Sequence, residues 1–229
     1  MKRHYCLIET GLAPETLVPK HGTYPSMGQD LLVQCLEPFD STAISVISGD
    51  SLPDPEAFDG YMIMGSEFSV NDNSPWIESL LVFIKDVVQK QIPLVGICFG
   101  HQAIAKALGG TVKSGDWVVG ATRYDRADTS QPLTTIAYHE DQVVVAPPEA
   151  TLLMNSADCP IASLRYQYTP CWTIQSHPEF TPSFALELFE LTRGSPLTDD
   201  VCDAAIASVN DFTPDLGSIH QQIRQIFQP

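Results

Sequence analysis

Positive charge is scarce in this chain. Its 229 residues hold 12 Lys and Arg against 28 Asp and Glu, a formal net charge of −16. A nucleic-acid-binding surface needs a basic stripe to meet phosphates, so that class of partner is not expected. The acidity suits solubility or a basic partner surface, and charge alone does not choose between them. Long apolar runs are also missing: nothing approaches the roughly 18 uninterrupted residues of a membrane span. No signal peptide is apparent, because Lys2-Arg3-His4 leads straight into a strand-like segment. The six cysteines are scattered, with no Cys-x-x-Cys pair, and read as reduced thiols of a cytoplasmic protein. There is no Gly-x-x-x-x-Gly-Lys-Ser/Thr loop, no Gly-x-Gly-x-x-Gly after a strand and no His-Glu-x-x-His. Nucleotide, dinucleotide and zinc chemistry therefore lack their usual signatures, and neither cofactor nor metal is expected. Repeats and low-complexity tracts are absent too.

What is present is an alternation of strand-like and helix-like segments. Tyr5–Ile8, Ala43–Ile47, Tyr61–Met64, Leu94–Ile97 and Cys171–Ile174 read as short apolar or β-branched strands. Gln29–Glu37, Trp76–Val88, Ala103–Leu108 and Phe184–Leu191 read as helices. That order predicts an α/β fold with a mostly parallel central sheet flanked by helices. Between Thr111 and Leu164 the texture changes to short β runs at Trp117–Ala121, Thr134–Ala137, Gln142–Val145 and Leu152–Met154. These predict a smaller antiparallel sheet, as an insertion or at an edge. The tail carries Val201, Ala204, Ala205 and Val209, then Leu216, Ile219, Ile223 and Ile226, at helical spacing. It reads as a helical extension, residues 193–229, packed on the domain of residues 1–192, with an oligomer or partner contact as the alternative.

The chemistry concentrates at Gly96-Ile97-Cys98-Phe99-Gly100. A short apolar strand stops at a cysteine flanked by glycines, and a helix begins at once. This is the layout of a nucleophile elbow with Cys in place of Ser. The helix N-terminus points its free N–H groups and its dipole at the sulfur, which favours a thiolate. The backbone N–H of Phe99, next to the nucleophile, is the natural first oxyanion donor. A base is sought 79 positions on, at Ser176-His177-Pro178-Glu179-Phe180. Residues two apart in an extended chain point the same way, so Glu179 can orient the His177 imidazole while His177 deprotonates Cys98. On its own His-Pro-Glu reads more readily as only a turn after a strand; the elbow beside it reverses that. His177 and Glu179 alone suggest no third metal ligand. His101 adjoins the nucleophile, but its side chain is expected to point away along the helix.

These two motifs together resemble the class I (triad-type) glutamine amidotransferase domain. The likeness is to its stand-alone, GMP-synthase-like branch, which includes the plant γ-glutamyl peptidases. Gly22-Thr23-Tyr24-Pro25-Ser26-Met27, Gly65–Asp72 followed by Pro75-Trp76-Ile77, and His139-Glu140-Asp141-Gln142-Val143 resemble further segments of that branch. The likeness spans roughly residues 4 to 192. It implies a flavodoxin-like fold and attack of Cys98 on the side-chain amide of glutamine, or on another γ-glutamyl compound. It also implies that the N–H of Gly65 is the second oxyanion donor and that Gln102 and Ser66 border the substrate. Main-chain groups around His139 and Asp141 are then expected to meet its α-amino and α-carboxylate ends. For Gln102 the alternative is a first-turn helix residue satisfying local backbone, and for His139 and Asp141 a polar strand end. Where many relatives have Gly-Gly-Pro, this chain has Gly65-Ser66-Glu67, which sets a carboxylate near the pocket mouth.

Three functions follow as expectations. One is a glutaminase handing ammonia to a synthase subunit that activates an unknown acceptor. The second is a γ-glutamyl peptidase or hydrolase, and the third a catalytically silent regulatory module. A full Cys98–His177–Glu179 set favours the first two.

Overall fold

The structure, a computed structural model, describes residues 2–210 and 212–228. Among the described residues, nine strands form one sheet: β1 (Arg3–Glu9), β2 (Phe39–Ser45), β3 (Gly60–Ile63), β4 (Leu94–Ile97), β5 (Thr111–Arg126), β6 (Thr129–Val145), β7 (Ala150–Asn155), β8 (Ser163–Tyr166) and β9 (Cys171–Ile174). Their order is β2-β1-β3-β4-β9-β8-β7-β5-β6. The first five in that order run parallel. The remaining pairings are antiparallel, so the antiparallel strands continue the central sheet instead of standing apart from it.

Every residue of β3, β4 and β9 is buried, as continuous apolar runs covered on both faces must be. The described residues form seven helices around the sheet: α1 (Val18–His21), α2 (Tyr24–Val33), α3 (Pro75–Gln89), α4 (Phe99–Ala107), α5 (Pro182–Leu191), α6 (Asp199–Asn210) and α7 (Gly217–Phe227). One face of the sheet buries Tyr61, Ile63 and Leu94 against Leu80, Ile84 and Ile104 of α3 and α4. The opposite face buries Leu7, Met62, Val95 and Trp172 with Leu31 and Leu32 of α2 and Ile219, Ile223 and Ile226 of α7. A third cluster joins α5 and α6 to Met27, Ile136 and Phe180.

Boundaries differ from the sequence reading where local chemistry outweighs apolar periodicity. The second helix begins at Tyr24, five residues earlier than its apolar stripe, because the Thr23 side chain caps it from Ser26 N–H and Pro25 suits its first turn. The β-branched run around Ala43–Ile47 is shifted toward the N-terminus. Pairing with β1 starts at Arg3–Phe39, and the chain turns into a 3-10 segment at Val46. Strand β8 has only Leu164 and Tyr166 in alternation, too little pattern to read unaided.

Topology fixes where a site forms. From β1 the chain goes to β2 on one side, then to β3 on the other, so the topological switch point, where such sheets take ligands, lies at the carboxyl ends between β1 and β3. The loops after β1, β3, β4 and β9 all end there. Over it folds the long β5–β6 hairpin, whose register breaks between Ser114 and Val118; such bulges bend a ribbon.

Candidate active site

Cys98 sits at φ 51°, ψ −104°, the left-handed side that non-glycine residues avoid. The chain is held in that turn from both directions. Cys98 N–H donates to the Ile174 carbonyl of β9 at 2.8 Å, and its own carbonyl accepts from Gln102 N–H at 3.1 Å. The flanking glycines are steric requirements. A Cβ on Gly96 would lie 2.6 Å from the Gly100 carbonyl oxygen, and one on Gly100 would press into the Ile63 carbonyl of β3. Strand β4 and helix α4 can therefore meet this tightly only with glycine at both positions.

Gly65, just beyond β3, faces the same point. A Cβ there would be 2.8 Å from His177 Cε1 and 3.7 Å from Cys98 Cβ, so the missing side chain is the space the imidazole uses. Thr10 donates its hydroxyl to the carbonyls of Met64 and Gly65, at 2.9 and 3.1 Å, which fixes the neighbouring peptide planes. Among the described residues, neither Gly65 N–H nor Phe99 N–H donates to a backbone carbonyl.

His177 is anchored by its N–H to the Ile136 carbonyl of β6 at 2.7 Å. Its ring stacks on Phe180, 4.1 Å between centroids and 10° between planes. Nδ1 pairs with Glu179 Oε1 at 2.7 Å, and both side chains are nearly sealed from water. Burial disfavours the imidazolium, but the charge of Glu179, then that of Cys98, outweighs it and pushes the His177 pKa up to about 10. The arrangement brings a thiol, an imidazole and a carboxylate together around Gly65.

The other cysteines lack this setting. Burial drives the thiols of Cys6 and Cys159 up to about 12 and Cys35 to about 11, and raises Cys171 and Cys202 as well. His101 is a satisfied core residue, with Nδ1 on Thr173 Oγ1 at 2.8 Å and Nε2 on the Ile161 carbonyl at 3.1 Å. Burial pushes its pKa down to about 4.

Gln102, His139 and Asp141 come together around one main-chain carbonyl. Asp141 C=O accepts from Gln102 Nε2 at 2.8 Å and from His139 Nδ1 at 3.2 Å. The Asp141 carboxylate is engaged elsewhere, by the Ser69 hydroxyl. Burial, then the charge of His177, lowers His139 to about 3, so its ring stays neutral and does not compete as a base. Ser66 donates to the Thr10 carbonyl at 2.6 Å and accepts from Phe68 N–H at 3.1 Å, which shapes the turn after β3. A side chain on Gly11 would clash with the Glu67 carboxylate, which thus lies across the loop after β1.

Two residues have no individual role in the sequence reading. Tyr24 stacks on Phe180, and burial, then the charges of Glu67 and Glu179, raises the pKa of its hydroxyl. Gln175, fully buried, directs Nε2 at Cys98 Sγ from 3.6 Å. Alternation was the available signal for Gln175, since positions 175, 177 and 179 share one side of an extended chain.

Among the described residues, no group of three or more His, Cys, Asp or Glu is placed to hold a metal ion, and no helix is long and apolar enough to cross a membrane.

Comparison with known proteins shows the family and the fold. The chain is 27% identical over 216 residues to a glutamine amidotransferase-like protein of Schizosaccharomyces pombe, covering 85% of this chain and 86% of that one. It is 28% identical over 183 residues to gamma-glutamyl peptidase 2 of Arabidopsis thaliana, covering 73% and 72%. Its fold superposes on the crystal structure of a glutamine amidotransferase from Thermotoga maritima with a TM-score of 0.73, at 15% identity and over 99% and 96% of the two chains. The profile of the family described as glutamine amidotransferase class-I matches residues 32–189, from the second helix through the fifth. The match embraces both the elbow cysteine and the buried His–Glu pair, and the chain belongs to the class-I glutamine amidotransferase family.

Proposed function

We propose that the protein cleaves the γ-amide of glutamine through a γ-glutamyl thioester on Cys98. The observation that carries this reading is the 2.7 Å His177–Glu179 pair, set against the same glycine as the strained elbow cysteine. His177 takes the Cys98 proton, and the thiolate attacks the amide carbon. The N–H groups of Phe99 and Gly65 receive the developing oxyanion. His177 then protonates the departing ammonia. It next draws a proton from water, whose oxygen attacks the thioester and frees glutamate and the thiolate. Glu179 holds the imidazole tautomer and its charged form throughout. Protein groups and water suffice for each step. Ser66, Gln102, His139 and Asp141 are assigned to the wall that holds the γ-glutamyl group, with the Asp141 carbonyl as its polar centre.

Ammonia released here needs an activated acceptor, which we assign to a synthase subunit on a separate chain. A second reading is favoured by the peptidase-named relative that covers 73% of this chain: the same three residues cleave a γ-glutamyl peptide or amine, and water is the only acceptor. All six cysteines are free of disulfides, which suits the cytoplasmic setting that we propose for the protein.

Hydrolysis is tested with glutamine and a panel of γ-glutamyl peptides and amines, using wild type and Cys98→Ala. Turnover by wild type that is abolished in Cys98→Ala supports the thioester route. Preference for glutamine or for peptides separates the two readings. Equal inactivity of both proteins on the whole panel sinks the catalytic assignment.

A further inference from the structure

Besides His177 and the Tyr138 carbonyl, 4.0 Å from Sγ, Cys98 faces a side-chain amide. Gln175 Nε2 lies 3.6 Å from Sγ, on a side chain with no exposure to water. The direction of this amide is set by its neighbours. The Asp141 carbonyl can only accept, so the Gln102 amide must turn Nε2 toward it, at 2.8 Å. The same Nε2 meets Gln175 Oε1 at 3.3 Å. With its oxygen facing a donor, Gln175 is left with its N–H groups toward the sulfur. Its backbone is fixed as well, through its N–H to the Ala162 carbonyl at 2.8 Å. Two amides are thus locked in series by a main-chain carbonyl, and the last donor in the row points at Cys98.

We infer that Gln175 is a catalytic residue: its carboxamide donates a hydrogen bond to the Cys98 thiolate, and Gln102 is the positioning residue that keeps the amide so turned. The inference rests on Cys98 being the nucleophile. A thiolate accepts an N–H well, whereas a thiol or thioester sulfur accepts weakly, so the bond favours the anionic form of the sulfur. That form occurs twice per turnover. It is present before attack on the amide carbon. It returns when water has added to the thioester carbonyl and the C–S electron pair goes back to sulfur. Unlike the imidazole, the amide neither gains nor loses a proton, so it holds the thiolate at any protonation state of His177.

Iodoacetamide alkylation of the full chain, followed at Cys98 by peptide mass across a pH series, tests this directly. A hydrogen bond to a charged group converts to about one pH unit. The midpoint of the profile is expected to rise by about that much in Gln175→Met, with about tenfold slower labelling below it. Gln175→Glu, of the same shape but with an acceptor and charge facing the sulfur, is expected to shift it further up. Gln102→Met frees the amide to turn and is expected to shift it the same way by less. Circular dichroism identifies which variants are folded. Should Gln175→Met not fold, the isosteric Gln175→Glu and the Gln102→Met profiles decide. A folded Gln175→Met, or in its place Gln175→Glu, with the wild-type profile overturns the inference. The underlying reading fails differently: Cys98→Ser that still hydrolyses glutamine or the γ-glutamyl panel at the wild-type rate removes Cys98 as nucleophile, whatever the Gln175 profiles show.

Discussion

His177 Nδ1 lies 2.7 Å from Glu179 Oε1, and neither side chain has more than a few per cent of its surface in water. A buried imidazolium is costly, yet the carboxylate and then the cysteine turn the balance and hold the His177 pKa at about 10. The folded-state value is above the ordinary 6.5, so the associated stability is full below pH 6.5 and is lost as pH climbs toward 10. Glu179→Gln removes the main charge that sustains it. The stability gap between wild type and this variant should be widest near pH 6 and narrow by pH 10, read by urea unfolding at several pH values. Hydrolysis should fall by about 10² to 10⁴, as when a triad loses its carboxylate. A gap independent of pH would contradict the ion pair.

The elbow makes a steric prediction. A methyl group on Gly100 meets the Ile63 carbonyl oxygen and lies 2.9 Å from its carbon, and backbone atoms cannot swing aside as a side-chain tip can. Gly100→Ala should destabilise by about 2–3 kcal/mol and slow hydrolysis by at least about tenfold as α4 is pushed off β3. Gly49 is the control. It has φ +98° with nothing within 4 Å of an added Cβ, so Gly49→Ala should cost only the conformational strain, about 1 kcal/mol, and leave turnover alone. Denaturant midpoints and rates on the two variants separate the effects.

Cys98 itself carries strain. At φ 51° an L side chain is disfavoured and glycine is not, so the two inactive variants should differ. Cys98→Gly should be more stable than Cys98→Ala by about 1 kcal/mol, visible as a higher melting temperature. Equal melting temperatures would mean the turn costs nothing.

Much of this was legible before any coordinates. Apolar runs at Tyr61–Met64, Leu94–Ile97 and Cys171–Ile174 identified three central strands, because a strand covered on both faces has no polar alternate to blur it. The elbow declared itself through Gly96 and Gly100, which the strand–helix contact demands. The second helix was misplaced because Thr23 and Pro25 set its start from outside the apolar stripe. The wall of Gln102, His139 and Asp141 was named by likeness, but its organisation around one carbonyl depends on how the β5–β6 hairpin curls, and bulge placement leaves little trace in composition. Gln175 was within reach, one alternation step from His177, and was passed over because an amide in an apolar strand resembles an ordinary hydrogen-bonding core residue.

The tail beyond the family match supplies the last prediction. Ile223 and Ile226 are wholly buried, in the cluster that holds Val95 of the elbow strand and Trp172 of β9. Tyr5 donates its hydroxyl to the Phe227 carbonyl at 3.1 Å, and Arg224 Nε reaches the Cys35 carbonyl at 2.8 Å. Gly60 has no side chain where Phe227 lies, since a Cβ would be 2.7 Å from the ring. An element with this much shared surface should unfold with the sheet. Ile223→Ala should cost about 3 kcal/mol while chemical and thermal unfolding stay a single transition, and the folded fraction should hydrolyse at the wild-type rate. Two separate transitions, or full stability after the truncation, would make α7 an independent appendage; one shared transition makes it part of the support for Cys98.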